Sequence, residues 1–325
     1  SMSYKPLIIV LGEPRSIFIE ILLKTYKKII FKKMKRPIIL IGSINLLKKQ
    51  MNYFNFNSKI NIISYEKINT VKNNKSINII DIDLKVHKPF QKKFKNSNEY
   101  IKKSFDLAIR ILKNSKACGL INGPISKEKF LKKKFLGITE YITKKSNSKE
   151  SSMLIYNKKL SVSPITTHVP LKKVAKIIKR KVIIDKVLLL EKFYRKNIKK
   201  PKIAILGLNP HCESVDKISE EKKIIIPAVK YLKSKKINIF GPFSADTFFL
   251  KTNYSKYNLV IGMYHDQVLT PIKTLFKFDA INITVGLPFI RISPDHGPNE
   301  NMLSLNKSDP QSLIKSIIFF DKNGI

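Results

Sequence analysis

The chain has 325 residues, 43% of them hydrophobic, and its 63 Lys and Arg outweigh 23 Asp and Glu to a formal charge of +40. At roughly 150 residues per domain, that length predicts about two domains with enough apolar material for cores. Cys118 and Cys212, the two cysteines, stand in separate segments, which excludes a disulfide scaffold and suits a reducing cytoplasm.

In chain order, short β-branched runs alternate with longer amphipathic segments, the pattern of parallel βαβ units in an α/β fold. Leu7–Leu11 reads as a strand, followed by the turn Gly12-Glu13-Pro14 and a helix over Ile17–Tyr26. Further strands are expected at Pro37–Ile41, Ile60–Ser64 and Ile77–Ile82. Tyr100–Leu112 carries Ile101, Phe105, Ala108, Ile109 and Leu112 at helical spacing. Ala117–Ile121 is a buried strand that ends at Asn122-Gly123-Pro124, before another helix. The second half predicts strands at Leu160–Thr166, Lys202–Leu206, Ile237–Phe240, Leu259–Met263 and Ala280–Val285. Helices Leu171–Ile178 and Val182–Tyr194 lie between the first two of these. The polar stretch Lys144–Ser152 reads as a hinge or a surface loop.

Pro6–Gly12 is too short for the apolar part of a secretion signal, and no apolar run approaches the roughly 18 residues of a spanning helix. Ser1, ahead of Met2, is set aside as an added residue. The basic excess invites a nucleic-acid reading, because such a surface attracts phosphate backbones. Yet the lysines spread over the whole chain, and clusters such as Lys132–Lys134, Lys172–Lys181 and Lys199–Lys202 lack interleaved aromatics. The preferred reading is a surface filled with Lys, Asn and Ile by AT-rich codons. It predicts no specific nucleic-acid partner, only salt-sensitive adhesion.

Ligands of open α/β sheets bind beyond the carboxyl ends of the strands. Three of the five histidines fall there: His168 in Thr167-His168-Val169-Pro170, His211 in Asn209-Pro210-His211 and His265 in Tyr264-His265-Asp266-Gln267. Neutral imidazole is the commonest metal ligand, and three with open positions make a catalytic type of site. Taken singly, each histidine fits a hydrogen-bonded structural role as well. His87 reads as solvated, and His296 as structural or as support for a site. Lys273, Asn282 and Arg291 form a second, cationic group. A guanidinium grips carboxylate or phosphate with two bonds. No glycine-rich dinucleotide fingerprint, phosphate-binding P-loop or nucleophile elbow occurs.

Taken together, Gly12-Glu13-Pro14, Asn122-Gly123-Pro124-Ile125-Ser126-Lys127, Gly137-Ile138-Thr139-Glu140-Tyr141, Thr167–Leu171, Gly207–His211, Gly241–Thr247, Tyr264–Gln267 and Asn282–Gly297 stand in a telling order. The chain resembles the 4-hydroxythreonine-4-phosphate dehydrogenase family of pyridoxine biosynthesis over nearly its whole length. The resemblance implies two α/β/α domains, isocitrate/isopropylmalate dehydrogenase-like, with an active-site cleft at a homodimer interface. It implies domains 1–145 plus 300–325 and 146–299. It implies a divalent metal on His168, His211 and His265, one of them donated across the dimer; zinc is the first choice, with magnesium, manganese or cobalt able to serve. Thr139, Lys273, Asn282 and Arg291 are then substrate contacts. The implied reaction is oxidation of 4-phosphooxy-L-threonine by NAD (or NADP), followed by loss of carbon dioxide to 3-amino-2-oxopropyl phosphate.

The chain departs from the family at Ile138, where His is usual, and at Arg15–Phe18, where glycines are usual. Dehydrogenation of another phosphorylated hydroxy acid, such as a four-carbon sugar-acid phosphate, is the alternative within enzymology. A decayed phosphate-ligand or RNA-binding protein is the alternative outside it.

Overall fold

The computed structural model describes residues 4–126, 137–212, 215–277, 279–293 and 296–322. The chain forms two compact units, residues 1–150 with 287–325 and residues 151–286. The return crossing falls at 287 rather than near 300, so the segment carrying Arg291 belongs to the first unit. The first unit opens with strands β1 (Leu7–Val10), β2 (Ile38–Gly42), β3 (Ile60–Ile62), β4 (Ile77–Asp81) and β5 (Gly119–Asn122). The second holds β6 (Ser152–Tyr156), β7 (Ser161–Pro164), β8 (Ile203–Leu206), β9 (Ile239–Phe243), β10 (Leu259–Gly262) and β11 (Ile281–Val285), and β12 (Ile290–Ser293) completes the first.

In the first unit the strands run in the order β3-β4-β2-β1-β5-β12, all parallel. Successive strand residues face opposite sides. Ile8, Val10, Ile39, Ile41 and Leu120 pack with Ile101, Phe105 and Ala108 of helix Ser97–Lys113. Leu7, Ile9, Ile38 and Leu40, on the other face, are equally buried. There helix Gln311–Lys322 lays Phe320 on β5, so closely that a Cβ on Gly119 would stand 2.2 Å from its ring. β1 marks the point where strand order reverses, with β2 on one side and β5 on the other. That arrangement opens a crevice beyond their carboxyl ends.

The second unit has the order β11-β6-β7-β10-β8-β9, with β7, β10, β8 and β9 parallel and β6 antiparallel to both neighbours. Val162, Ala204, Leu206 and Val260 pack with Val268, Leu269 and Ile272 of helix His265–Phe276. On the opposite face Ile203, Ile205, Leu259 and Ile261 are fully buried. Helix Arg180–Asn197 packs there, its Tyr194 hydroxyl 3.3 Å from Ser161 Oγ on β7. Each unit is thus an α/β/α sandwich. Among the described residues no helix is long and apolar enough to cross a membrane.

Several elements escape the sequence reading. Helix Ile44–Tyr53 is capped by Ser43, whose Oγ accepts from the Leu46 amide at 3.1 Å. β6 begins at the end of the polar stretch read as hinge or loop. Helix His265–Phe276 carries Pro271 inside it, which hides its periodicity. Helices Ile138–Lys145 and Gln311–Lys322 were also unmarked. The helix expected after Pro124 falls in 127–136, outside the described residues.

Candidate active site

In the second unit β10 lies between β7 and β8, parallel to both, with Ile261 opposite Ser163 on one side and Ile205 on the other. His168 follows β7, His265 follows β10 and His211 follows β8. Three imidazoles therefore leave three adjacent strands at their carboxyl ends. The rings of His168 and His265 face each other, centroids 5.6 Å apart and planes tilted by 43°. His265 Nδ1 lies 2.7 Å from Asp266 Oδ1, which fixes the ring's tautomer and leaves Nε2 as the outward nitrogen. His211, its side chain 80% exposed, sits with Nδ1 3.8 Å from Asp246 Oδ2.

The loops bearing these rings are cross-tied beneath them. Thr166 Oγ1 donates to the Met263 carbonyl at 2.8 Å, joining the β7 and β10 ends. Gln267 accepts from the Met263 amide at 2.7 Å and donates to the Gly207 carbonyl at 2.8 Å, joining the β10 and β8 ends. Buried Glu221 accepts from the amides of Leu208 and Asn209 at 2.9 and 2.7 Å. A Cβ on Gly207 would stand 2.7 Å from Cys212 Sγ, so the loop closes only over glycine. His211 and Cys212 have φ of 57° and 58°, a left-handed backbone that side chains disfavour. Cys212, half-buried beside this turn, has its thiol pushed up by burial and then by the Glu221 charge. Sequence reading marked Gln267 only as part of a motif and missed Glu221 and Thr166.

Among the described residues no three His, Cys, Asp or Glu side chains converge closely enough to hold an ion. The structure brings His168 and His265 together and keeps His211 on the neighbouring strand end, turned toward Asp246. The donor chemistry fits a divalent cation of zinc type, since imidazole nitrogens are its usual ligands and His265 carries a carboxylate, Asp266, on its Nδ1.

The first unit carries its own polar cluster at the carboxyl ends of β1 and β5. Gly12, at φ 77°, packs backbone to backbone on the next loop, where a Cβ would meet Gly123 and Pro124 atoms at 2.8 Å. The Glu13 amide donates to the Pro124 carbonyl at 2.9 Å and the Gly123 amide to the Val10 carbonyl at 2.7 Å. Arg291, on β12 beside β5, is 1% exposed. Its Nε donates to Asn122 Oδ1 at 2.8 Å and its Nη1 to Thr139 Oγ1 at 2.6 Å. Burial pushes the guanidinium pKa down to about 10, which leaves it charged at neutral pH. The sequence reading grouped Arg291 and Thr139 as substrate contacts, and the structure joins the two by a direct hydrogen bond. Ile138, at the start of the same helix, packs its side chain against the apolar cluster under that helix.

Lys273 stands exposed on helix His265–Phe276, and Asn282 is half-buried on β11, both in the second unit. His87 is exposed, with its amide held by Gln91. His296 lies in the first unit, its ring centroid 6.4 Å from that of Phe18.

Fold and polar edges define the class: an α/β protein of two three-layer units with its chemistry gathered at strand ends. More particularly, the chain belongs to the family described as pyridoxal phosphate biosynthetic protein PdxA, whose model matches residues 33–319. A 4-hydroxythreonine-4-phosphate dehydrogenase of Sulfurihydrogenibium sp. (strain YO3AOP1) is 47% identical over 175 residues, 53% of this chain and 54% of that protein. A D-threonate 4-phosphate dehydrogenase of Pectobacterium atrosepticum is 36% identical over 176 residues, 54% of each chain. The matched stretch spans about half the length of these curated relatives. A crystal structure of 4-hydroxythreonine-4-phosphate dehydrogenase from Klebsiella pneumoniae superposes with a TM-score of 0.84 at 26% identity, covering 97% of this chain and 98% of that one. A terephthalate 1,2-cis-dihydrodioldehydrogenase from Burkholderia xenovorans LB400 shares the fold, with a TM-score of 0.69 at 16% identity and 98% of both chains covered.

Proposed function

We propose that the chain is a nicotinamide- and metal-dependent dehydrogenase of the cytoplasm, acting in pyridoxal phosphate biosynthesis. It oxidises the C3 hydroxyl of 4-phosphooxy-L-threonine to 2-amino-3-oxo-4-phosphooxybutanoate, which loses carbon dioxide to give 3-amino-2-oxopropyl phosphate. The observation that carries this reading is the set of three imidazoles leaving three adjacent parallel strands in a chain of this family.

His168, His211 and His265 would hold the cation, zinc before magnesium, manganese or cobalt. Such a cation supplies Lewis acidity, easing loss of the hydroxyl proton and drawing off charge as carbon dioxide departs. NAD or NADP supplies the hydride acceptor. Asp266 at His265 Nδ1 leaves Nε2 as the nitrogen offered to the cation. Arg291 holds Thr139 and lends positive charge beneath its hydroxyl, which suits a phosphate or carboxylate. Lys273 and Asn282 are further substrate contacts in this reading. The working form is a homodimer in which one imidazole crosses to the other subunit. The outward, exposed His211 supports that role for its ring.

A second reading has support of its own: the substrate is D-threonate 4-phosphate, which bears a hydroxyl where the first substrate has its amine. Relatives bearing that name match at 34–36% identity, and an apolar Ile138 stands where the family's His is usual. Reduction of NAD by the purified chain decides between them, measured with each substrate, with and without divalent cation. Cation-dependent turnover of 4-phosphooxy-L-threonine is expected. Turnover of D-threonate 4-phosphate alone establishes the second reading, and no turnover of either overturns both.

A further inference from the structure

We propose that Glu221 and Gln267 are positioning residues that clamp the His211 loop in its left-handed conformation and couple it to the loop of His265. The inference rests on the metal reading above, but concerns residues that this reading leaves without a role. Glu221 is 1% exposed and opens a π-helical turn, Glu221–Ile225, that leads into helix Ile226–Ser234. Single π-helical turns occur often at functional sites. Its Oε1 takes the amides of Leu208 and Asn209 at 2.9 and 2.7 Å, and its Oε2 takes Asn209 Nδ2 at 2.9 Å. Three donors thus converge on one buried carboxyl group, and hydrogen bonds to carboxylates are among the stronger ones in proteins.

Gln267 grips the same loop from the other side. Its amide donates to the Gly207 carbonyl at 2.8 Å while its oxygen accepts from the Met263 amide at 2.7 Å. The peptide groups of residues 207–209 are therefore held from two directions just before His211. His211 and Cys212, both at positive φ, would relax toward right-handed backbone without that grip and swing the imidazole with them. A ligand must keep its place within about 0.5 Å to serve a metal. Whichever subunit's cation His211 serves, its direction is set by this clamp.

The test is a Co²⁺ titration of the metal-free, full-length protein, read by calorimetry and by visible absorption. Wild type, His211→Ala, Glu221→Gln and Gln267→Met are compared, with thermal unfolding of each metal-free form alongside. Wild type is expected to bind Co²⁺ with a ligand-field band. Glu221→Gln and Gln267→Met should bind about 10–100-fold more weakly with a shifted band, as loss of outer-sphere support does. Wild-type affinity and band in both variants overturn the clamp. Weaker binding with an unchanged band and a large fall in Tm shows a purely structural role and overturns it too. A wild type that binds no Co²⁺, or a His211→Ala variant that binds like wild type, overturns the metal reading and the clamp together. Should Glu221→Gln fail to fold, Gln267→Met decides alone, because its side chain is only half-buried.

Discussion

Charge is held in opposite ways in the two units. In the first, Arg291 is sealed at 1% exposure and fastened to Asn122 and Thr139, residues 169 and 152 positions away in sequence. In the second, the imidazoles stand outward, His211 with 80% of its side chain exposed, and the order lies in the backbone beneath them. The physical chemistry of the two groups explains the contrast. A guanidinium has no proton to exchange near neutral pH, so it can be kept dry and still supply a fixed charge. An imidazole works by exchanging protons and ligands, so its nitrogen must stay reachable. Precision then has to come from the loop and not from packing around the ring.

The largest expected effect breaks the comparison on the imidazole side. His265→Ala, and separately His168→Ala, should lower kcat/KM by about three orders of magnitude, the several kcal/mol that a cation contributes. Thermal unfolding should move by only a few degrees, because neither ring is buried. A large loss of stability with activity retained would assign these rings to structure.

Arg291→Lys reverses that pattern. It removes a buried fork joined to two partners, so urea unfolding should show a loss of about 1–3 kcal/mol. KM for the phosphorylated substrate should rise as Thr139 loses its donor. Exposed Lys199→Ala, the control, should stay within about 0.5 kcal/mol. Equal stability of Arg291→Lys and wild type would show that the fork's bonds to Asn122 and Thr139 do not hold the fold.

The two thiols sharpen the contrast by pH. Both thiols are partly buried; burial pushes Cys118, beside β5 in the first unit, up from 9.0 to about 11, while burial and then the Glu221 charge raise Cys212. At pH 8 the Cys118 thiolate is about a hundredfold scarcer than in a free thiol, so a thiol reagent should label Cys212 first. The sign for stability follows from linkage. The unfolded thiol ionises at 9.0 while the folded one holds its proton to about 11, so the contribution of Cys118 falls as pH rises between those values. Equal labelling rates for both cysteines would contradict the large upward shift of the Cys118 thiol.

The smallest effect concerns the surface common to both units. The +40 charge should give weak, sequence-independent DNA binding that disappears as salt rises from 50 to about 200 mM. Filter binding or fluorescence anisotropy measures it. Tight, sequence-selective binding at physiological ionic strength would overturn the reading of the lysines as solvated surface.

Most strands, the two long helices Ser97–Lys113 and Arg180–Asn197 and the α/β class were legible because β-branched runs and helical spacing are local signals. The alignment of His168, His211 and His265 on one edge was legible too, since each directly follows an apolar run read as a strand. Ser43 before Ile44 was a readable cap that went unused, while Pro271 disguised a helix that packing sustains. What the residues alone determine is therefore the elements and the chemistry at their ends. Only the tertiary structure decides that β10 enters between β7 and β8, that Arg291 meets Thr139, and that Glu221 reaches the loop before His211. Strand order and buried hydrogen bonds join residues far apart in sequence, and the energy that selects them resides in burial and geometry shared among many residues, which no local pattern records.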